Sequence, residues 1–272
     1  RKTFMKKYIG LSILMLSIAS CGPMQKALKT DDHEYKKEVA NQFYEKKKYR
    51  NAIRLYEQLE TVYRANPKAE DMFFNFAMAT YMTKDYELSS PRFKNFAATY
   101  PRSERREEAL LMEIKSGLAM SPVYSLDQRV TLEVIEKLQK FIDQYPGSNY
   151  VFEANTIMLD LNKKLEKKAY ENAKQLNTIG EYTRNYNAAI VALDNFIYDF
   201  PGTEYKEDAL FYKFDSAYKL AMNSVRYKME ERLKTAKSMH DVLIRFNAET
   251  KYKNQATSML ENINTELAKF SK

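Results

Sequence analysis

The sequence predicts an all-α fold of about five helical hairpins stacked into a superhelix. Three observations predict it. Glycine and proline are scarce, 6 and 7 among 272 residues, too few for the turns of a doubly wound sheet or a sandwich. A stripe of anchors spaced i, i+3, i+4, i+7, i+10, one face of a helix, recurs along the chain. A turn reading Tyr/Phe-Pro-x-Ser/Thr follows that stripe at constant distance.

Residues 1–20 read as a secretory signal. Arg1, Lys2, Lys6 and Lys7 form a basic start, and residues 8–20 are uncharged and mostly apolar. Met5 opens MKKYIG, a conventional signal beginning. The apolar run 9–19 is too short for a membrane span, which needs about 20 residues. Ile18-Ala19-Ser20-Cys21 resembles the lipobox of bacterial lipoproteins. That likeness implies cleavage before Cys21, a diacylglyceryl group on its sulfur, an N-acyl chain on its amine, and firm membrane anchoring. No aspartate follows Cys21, which favours the outer membrane. Residues 21–33 read as a short tether, and 34–270 as the repeat body.

Loss of residues 1–20 removes four basic residues and no acidic one, taking the net charge from +8 to +4. That balance, on an exported chain, removes the argument for a nucleic-acid partner. Two histidines and a single cysteine leave little for a metal cage or a nucleophile pair. His33 and His240 are far apart in sequence. The side chains of Asp31-Asp32 and Glu107-Glu108 diverge on a helix. The expectation is no enzyme, no cofactor beyond the lipid on Cys21, no metal and no small-molecule substrate.

The anchors recur as Tyr49, Ala52-Ile53, Tyr56, Leu59; Tyr86, Ser89-Ser90, Phe93, Phe96; Thr131, Val134-Ile135, Leu138, Phe141; and Tyr186, Ala189-Ile190, Leu193, Phe196. A weaker fifth copy is Leu233, Ala236, Met239-His240, Leu243. Pro101, Pro146 and Pro201 each lie 15 residues after their copy's first anchor. Each proline ends a helix, and Ser103, Ser148 and Thr203 are placed to cap the next. Thr250 opens a fourth such turn without its proline. With a preceding helix in each copy, this is the tetratricopeptide (TPR) pattern, whose pairs bury their faces only by stacking. The copies are 37, 45, 55 and 47 residues apart, longer than usual. Inserted turns or longer helices are expected at 121–128, 161–168 and 182–186. Pro91 falls inside the second stripe, so that helix is expected to start late, capped by Ser90, or to kink.

A lipobox, a tether and five degenerate TPRs together resemble the BamD family of outer-membrane assembly lipoproteins. The insert Ser121-Pro122-Val123-Tyr124-Ser125-Leu126-Asp127-Gln128 matches one branch of that family, as do the stretches CGPMQKALKT and EYKKEVANQFYEKKKYRNAI. Pro91, the 183–186 turn and the fifth copy without proline depart from it. The resemblance implies a lipid-anchored protein on the periplasmic side of the outer membrane. It implies binding to the periplasmic domains of a BamA-type barrel protein, and to unfolded outer-membrane proteins whose last strand ends in an aromatic residue.

In the TPR register the first helix of each pair lines a concave wall. That places Lys37, Asn41 and Tyr44 on the wall in the first repeat, Phe74, Met78 and Tyr81 in the second, and Tyr170 and Lys174 in the fourth. Aromatic and methionine side chains suit an apolar segment, and lysine suits a terminal carboxylate. The same aromatics equally suit inter-repeat core. Tyr124 and Asp127 of the insert have two readings, a partner contact or the capping of a turn. Two other classes share the helical pattern. Glycan-capturing SusD-type lipoproteins are much longer and use tryptophan platforms, and this chain has no Trp. Cell-wall scaffolds carry an N-terminal coiled coil, and residues 21–48 show no sustained heptads.

Overall fold

The structure, a computed structural model, describes residues 22–64 and 66–270. The signal residues 1–20 and the lipidation position Cys21 lie outside them. Among the described residues there are twelve α-helices and no strand. They divide into two compact units, 1–122 with 127–158, and 123–126 with 159–272.

The first unit contains α1 (Pro23–Lys29), α2 (His33–Glu45), α3 (Tyr49–Glu60), α4 (Glu70–Met82), α5 (Tyr86–Thr99), α6 (Arg106–Met120), α7 (Arg129–Gln144) and the start of α8 (Val151–Thr183). Each helix packs on the next from α1 to α7, and α2 also touches α4. The second unit holds the rest of α8 with α9 (Tyr186–Asp199), α10 (Lys206–Met222), α11 (Arg226–Phe246) and α12 (Lys253–Ala268). There α9, α10, α11 and α12 pack in sequence, and α10 also touches α12. Consecutive hairpins with first helices side by side make both units TPR-like.

The anchors fall where the spacing places them. The i+3, i+7 and i+10 positions are buried in all five copies: Ala52, Tyr56 and Leu59; Ser89, Phe93 and Phe96; Val134, Leu138 and Phe141; Ala189, Leu193 and Phe196; Ala236, His240 and Leu243. A fully buried large apolar side chain contributes about 1.5–3 kcal/mol, so this stripe accounts for much of the core. His240 occupies a core position, with its ring 5.5 Å from that of Phe214 and Nδ1 3.1 Å from Asp241.

The turns between hairpins share one geometry. Ser103 Oγ accepts from Arg105 N at 3.0 Å, Ser148 from Tyr150 at 3.2 Å, Thr203 from Tyr205 at 3.0 Å and Thr250 from Tyr252 at 3.3 Å. The hydroxyls were expected as helix caps. They instead close a turn onto the amide two residues on, and the helices begin one residue later, at Arg106, Val151, Lys206 and Lys253. Asn66 does the same in the first connection, accepting from Lys68 N at 2.9 Å. Proline is therefore dispensable at this turn, which explains the intact fifth copy.

Residues 161–168 take the longer-helix alternative, lying inside α8, which has no proline and no glycine before Gly180. Three other expectations are corrected. The 182–186 stretch adds no extra turn, because Thr183 ends α8 and Arg184, at φ 59, leads directly into α9. Lys47 (φ 56) and Lys84 (φ 64) make the equivalent left-handed turns after α2 and α4. α5 does not start late. Asp85 caps it by accepting from Leu88 N at 3.3 Å, and Pro91 sits inside the helix, forfeiting one ladder bond. The 21–33 tether is largely structured as well. Met24, Ala27 and Leu28 give α1 an apolar face that packs on the first hairpin.

Gly180 fills a tight crossing. A Cβ there would lie 2.6 Å from Tyr186 Cδ1. Gly117 is similar, with Val134 Cγ2 at 2.8 Å. Small residues let α8 approach α9, and α6 approach α7, at close range.

Candidate partner-binding face

The residue two beyond the Ser/Thr of each connection extends back over the preceding hairpin. In the first unit the Arg105 guanidinium lies over the ring of Phe74, 3.3 Å from its centroid. In the second unit Tyr205 stacks on Tyr170 at 4.7 Å and 10°. Tyr252 stacks on Phe211 at 3.8 Å and 2°. These three lids explain why Phe74, Tyr170 and Phe211 are at most 5% exposed. Phe74 and Tyr170, expected on an open wall, are thus corrected to covered positions.

Around Arg105 the first unit gathers an open polar–aromatic cluster. Arg105 Nε lies 3.4 Å from Glu108 Oε2, and Nη1 lies 3.9 Å from Asp71 Oδ1. About a third of the Arg105 side chain remains exposed, and Asp71 is 85% exposed. Burial raises the Tyr44 phenol above its ordinary pKa, while the Arg105 charge opposes the rise. Burial raises Tyr150 too, reinforced by Glu108 and Glu107 and opposed by Arg105. Tyr44, from α2, and Tyr150, before α8, therefore share one electrostatic neighbourhood centred on Arg105 and Glu108.

The other expected wall residues divide. Lys37 Nζ pairs with Glu34 at 2.7 Å and lies 5.0 Å from the Tyr63 ring. Burial and the bond to Glu34 push the Tyr63 phenol up to about 12. Asn41 Oδ1 accepts from the Tyr56 hydroxyl at 2.7 Å, bracing a buried side chain. Met78 and Tyr81 pack on the edge of the Phe74 cluster, and the Tyr81 ring meets Tyr86 edge-on at 5.3 Å. Tyr44, Met78 and Tyr81 are half-buried, and the Tyr44 ring meets Tyr49 edge-on at 5.7 Å. In the second unit Lys174 Nζ sits 5.7 Å from the Tyr170 ring and 5.1 Å from Tyr212.

The insert divides between the two readings. Asp127 Oδ1 accepts from Arg129 N at 2.8 Å, turning the chain into α7. Lys167 Nζ stands 4.6 Å over the Tyr124 ring, and Lys168 Nζ donates to the Leu126 carbonyl at 2.7 Å. The loop is thereby tied to α8, with Tyr124 half-buried. Sequence reasoning missed Arg105. The available signal was the run Arg105, Tyr150, Tyr205, Tyr252, a large planar group two residues after each hydroxyl.

This face offers a cation, two carboxylates and two tyrosines on rigid elements, which is chemistry for holding a peptide. Among the described residues no group of His, Cys, Asp or Glu is arranged to hold a metal ion. No described helix is long and apolar enough to cross a membrane.

A family model described as "YfiO: Outer membrane lipoprotein" matches residues 29–183, more than half of the chain. No curated protein matches. Among solved structures the chain is similar to the TPR2AB domain of yeast Sti1 in its pHSP90 complex. That match has 12% identity and a TM-score of 0.40, and covers 85% of this chain and 98% of that one. It is also similar to a Podospora anserina putative kinesin light chain with TPR-like repeats, at 12% identity and TM-score 0.33, covering 78% of this chain and 96% of that one.

Proposed function

The chain belongs to the YfiO family of outer membrane lipoproteins, and from that premise we propose that it is a periplasm-facing scaffold of the β-barrel assembly machinery, anchored by lipid on Cys21. Its hairpins bind a BamA-type barrel protein through that partner's periplasmic domains, and receive unfolded outer-membrane proteins before insertion. The observation that carries the receiving role is the Arg105 cluster. A guanidinium held on Phe74, whose charge reaches Tyr44 and Tyr150, keeps its donors in place for a terminal carboxylate or backbone carbonyl. The tyrosines supply apolar area with little conformational freedom to lose. No catalytic step is required of such a scaffold.

The test is a mild-detergent pull-down of the tagged full chain from outer membranes, read by mass spectrometry. Stoichiometric recovery of a large barrel protein with repeated periplasmic domains supports the reading. Recovery of nutrient transporters or cell-wall enzymes overturns it. Substituting Arg105→Ala should weaken binding of an aromatic-ended peptide by about tenfold, the scale of one charge-assisted contact, with the fold intact.

A further inference from the structure

A second site lies between the first two hairpins of the first unit. Between α3, α4 and α5 there is a cavity of about 280 Å³. It shares no residue with the Arg105 cluster. Its floor is aromatic, with Phe73, Phe76 and Phe96, and Arg92 forms one wall. The Arg92 guanidinium lies on the Phe76 ring at 4.0 Å. Its Nε and Nη1 are buried and have no hydrogen-bond partner among the described residues.

A desolvated donor without an acceptor is unfavourable, the more so when it is charged. The nearest acidic groups, Glu60, Glu57 and Asp85, act on Arg92 through the field alone. A ligand acceptor that draws the guanidinium off Phe76 into the cavity recovers that cost. The rims are polar: Asn95 and Thr99 on α5, and Glu60 on α3. They offer donors and acceptors to a peptide backbone, which a fatty acid would leave unused. The volume lies just below the usual range for drug-sized ligands.

We infer that this cavity is a peptide subsite that takes the carboxylate of an aspartate or glutamate and the apolar side chain two residues away, which share one face of an extended segment of a protein partner. Arg92 holds the carboxylate, the phenyl rings hold the apolar side chain, and Asn95 and Glu60 meet the backbone. The inference does not depend on the role given to the Arg105 face.

The experiment titrates the full chain by calorimetry with the capped peptide acetyl-Gly-Phe-Ser-Glu-Gly-Gly-amide. Its counterpart with Gln in place of Glu is titrated in parallel, and 3-phenylpropionate serves as the small-acid control. The Glu peptide is expected to bind at least about tenfold more tightly than the Gln peptide, the worth of one charge-assisted contact. Arg92→Met should abolish that difference, and Arg105→Ala should leave it unchanged. Asn95→Trp, at an exposed position, should close the mouth and abolish binding. That variant decides the matter should Arg92→Met fail to fold. Equal affinity for the two peptides, retention in Asn95→Trp, or loss in Arg105→Ala overturns the proposal. Binding of 3-phenylpropionate as tight as that of the Glu peptide overturns the assignment to a protein segment.

Discussion

The two units build the same joint with different chemistry. In the first, the aromatic side chain of the second hairpin is covered by a guanidinium, Arg105 over Phe74. In the second, Tyr170 and Phe211 are covered by tyrosines, and the Tyr252 hydroxyl donates to Asp208 at 2.5 Å. Ring on ring seals a joint, because both faces are apolar and the pair stacks. Guanidinium on ring leaves the joint half polar, since Arg keeps its fork of donors available at the edge. The repeat is thus neutral with respect to function until the lid residue is chosen. A tyrosine lid makes packing, and an arginine lid makes a binding face.

The comparison breaks most visibly at its apolar end. Phe211→Ala removes a buried ring stacked at 3.8 Å, and should destabilise the chain by about 3–5 kcal/mol, read from the urea midpoint. Gly180→Ala drives a methyl into the Tyr186 ring, and should cost about 1–3 kcal/mol in the same assay. At the polar end, Arg105→Ala should cost stability only about 1 kcal/mol, because the contact is partly exposed, while peptide binding falls. Arg105→Tyr sharpens the comparison. It installs the second unit's lid in the first, so stability should hold while peptide affinity drops. Stability and binding falling together in that variant would remove the distinction drawn between the two lids.

The smallest effect is a pH dependence. The Thr250 hydroxyl donates to Glu207 at 2.5 Å and holds its carboxyl below the usual value, with burial opposing and Lys251 N assisting. The folded-state pKa is lower than the unfolded one. Its contribution is therefore present above the ordinary carboxylate value of 4.5 and is lost as pH falls through the depressed folded value. Glu207→Gln should lower the neutral-pH thermal midpoint slightly, leave the acid-side midpoint unchanged, and so flatten part of the acid-side fall.

The helical hairpins were legible because their signal is periodic. Three buried positions per copy, repeated five times, override any single irregularity such as Pro91 or His240. The connections were legible as positions, while their bonding was misread, because a hydroxyl that closes a turn and one that caps a helix use the same residue types. Long α8 was legible only as an alternative. The repeat length left an inserted turn or a longer helix open at 161–168, and the absence of any helix breaker there decides for the helix. The binding face was only partly legible. Tyr44 was found, but Phe74 and Tyr170 were placed in the open, because what covers them comes from 31 and 35 residues further along. Periodicity within a helix carries no information about such a neighbour.

The connections also differ in how freely they have varied. Each of the four later links from a second helix to the next first helix has six residues: 100–105, 145–150, 200–205 and 247–252. Those from first to second helix run from two residues, 184–185, to eight, 121–128. The constant links each carry a hydroxyl-closed turn, and three of them a lid, so an added residue there would shift both at once. The shortest variable link has a hydroxyl turn of its own, Thr183 Oγ1 accepting from Asn185 N at 3.3 Å. After the first connection, length change is confined to the links from first to second helix. A reporter peptide or an evolved recognition loop grafted at 121–128 inherits a ready-made point of entry, whereas the same graft at 101–103 would uncouple two neighbouring repeats.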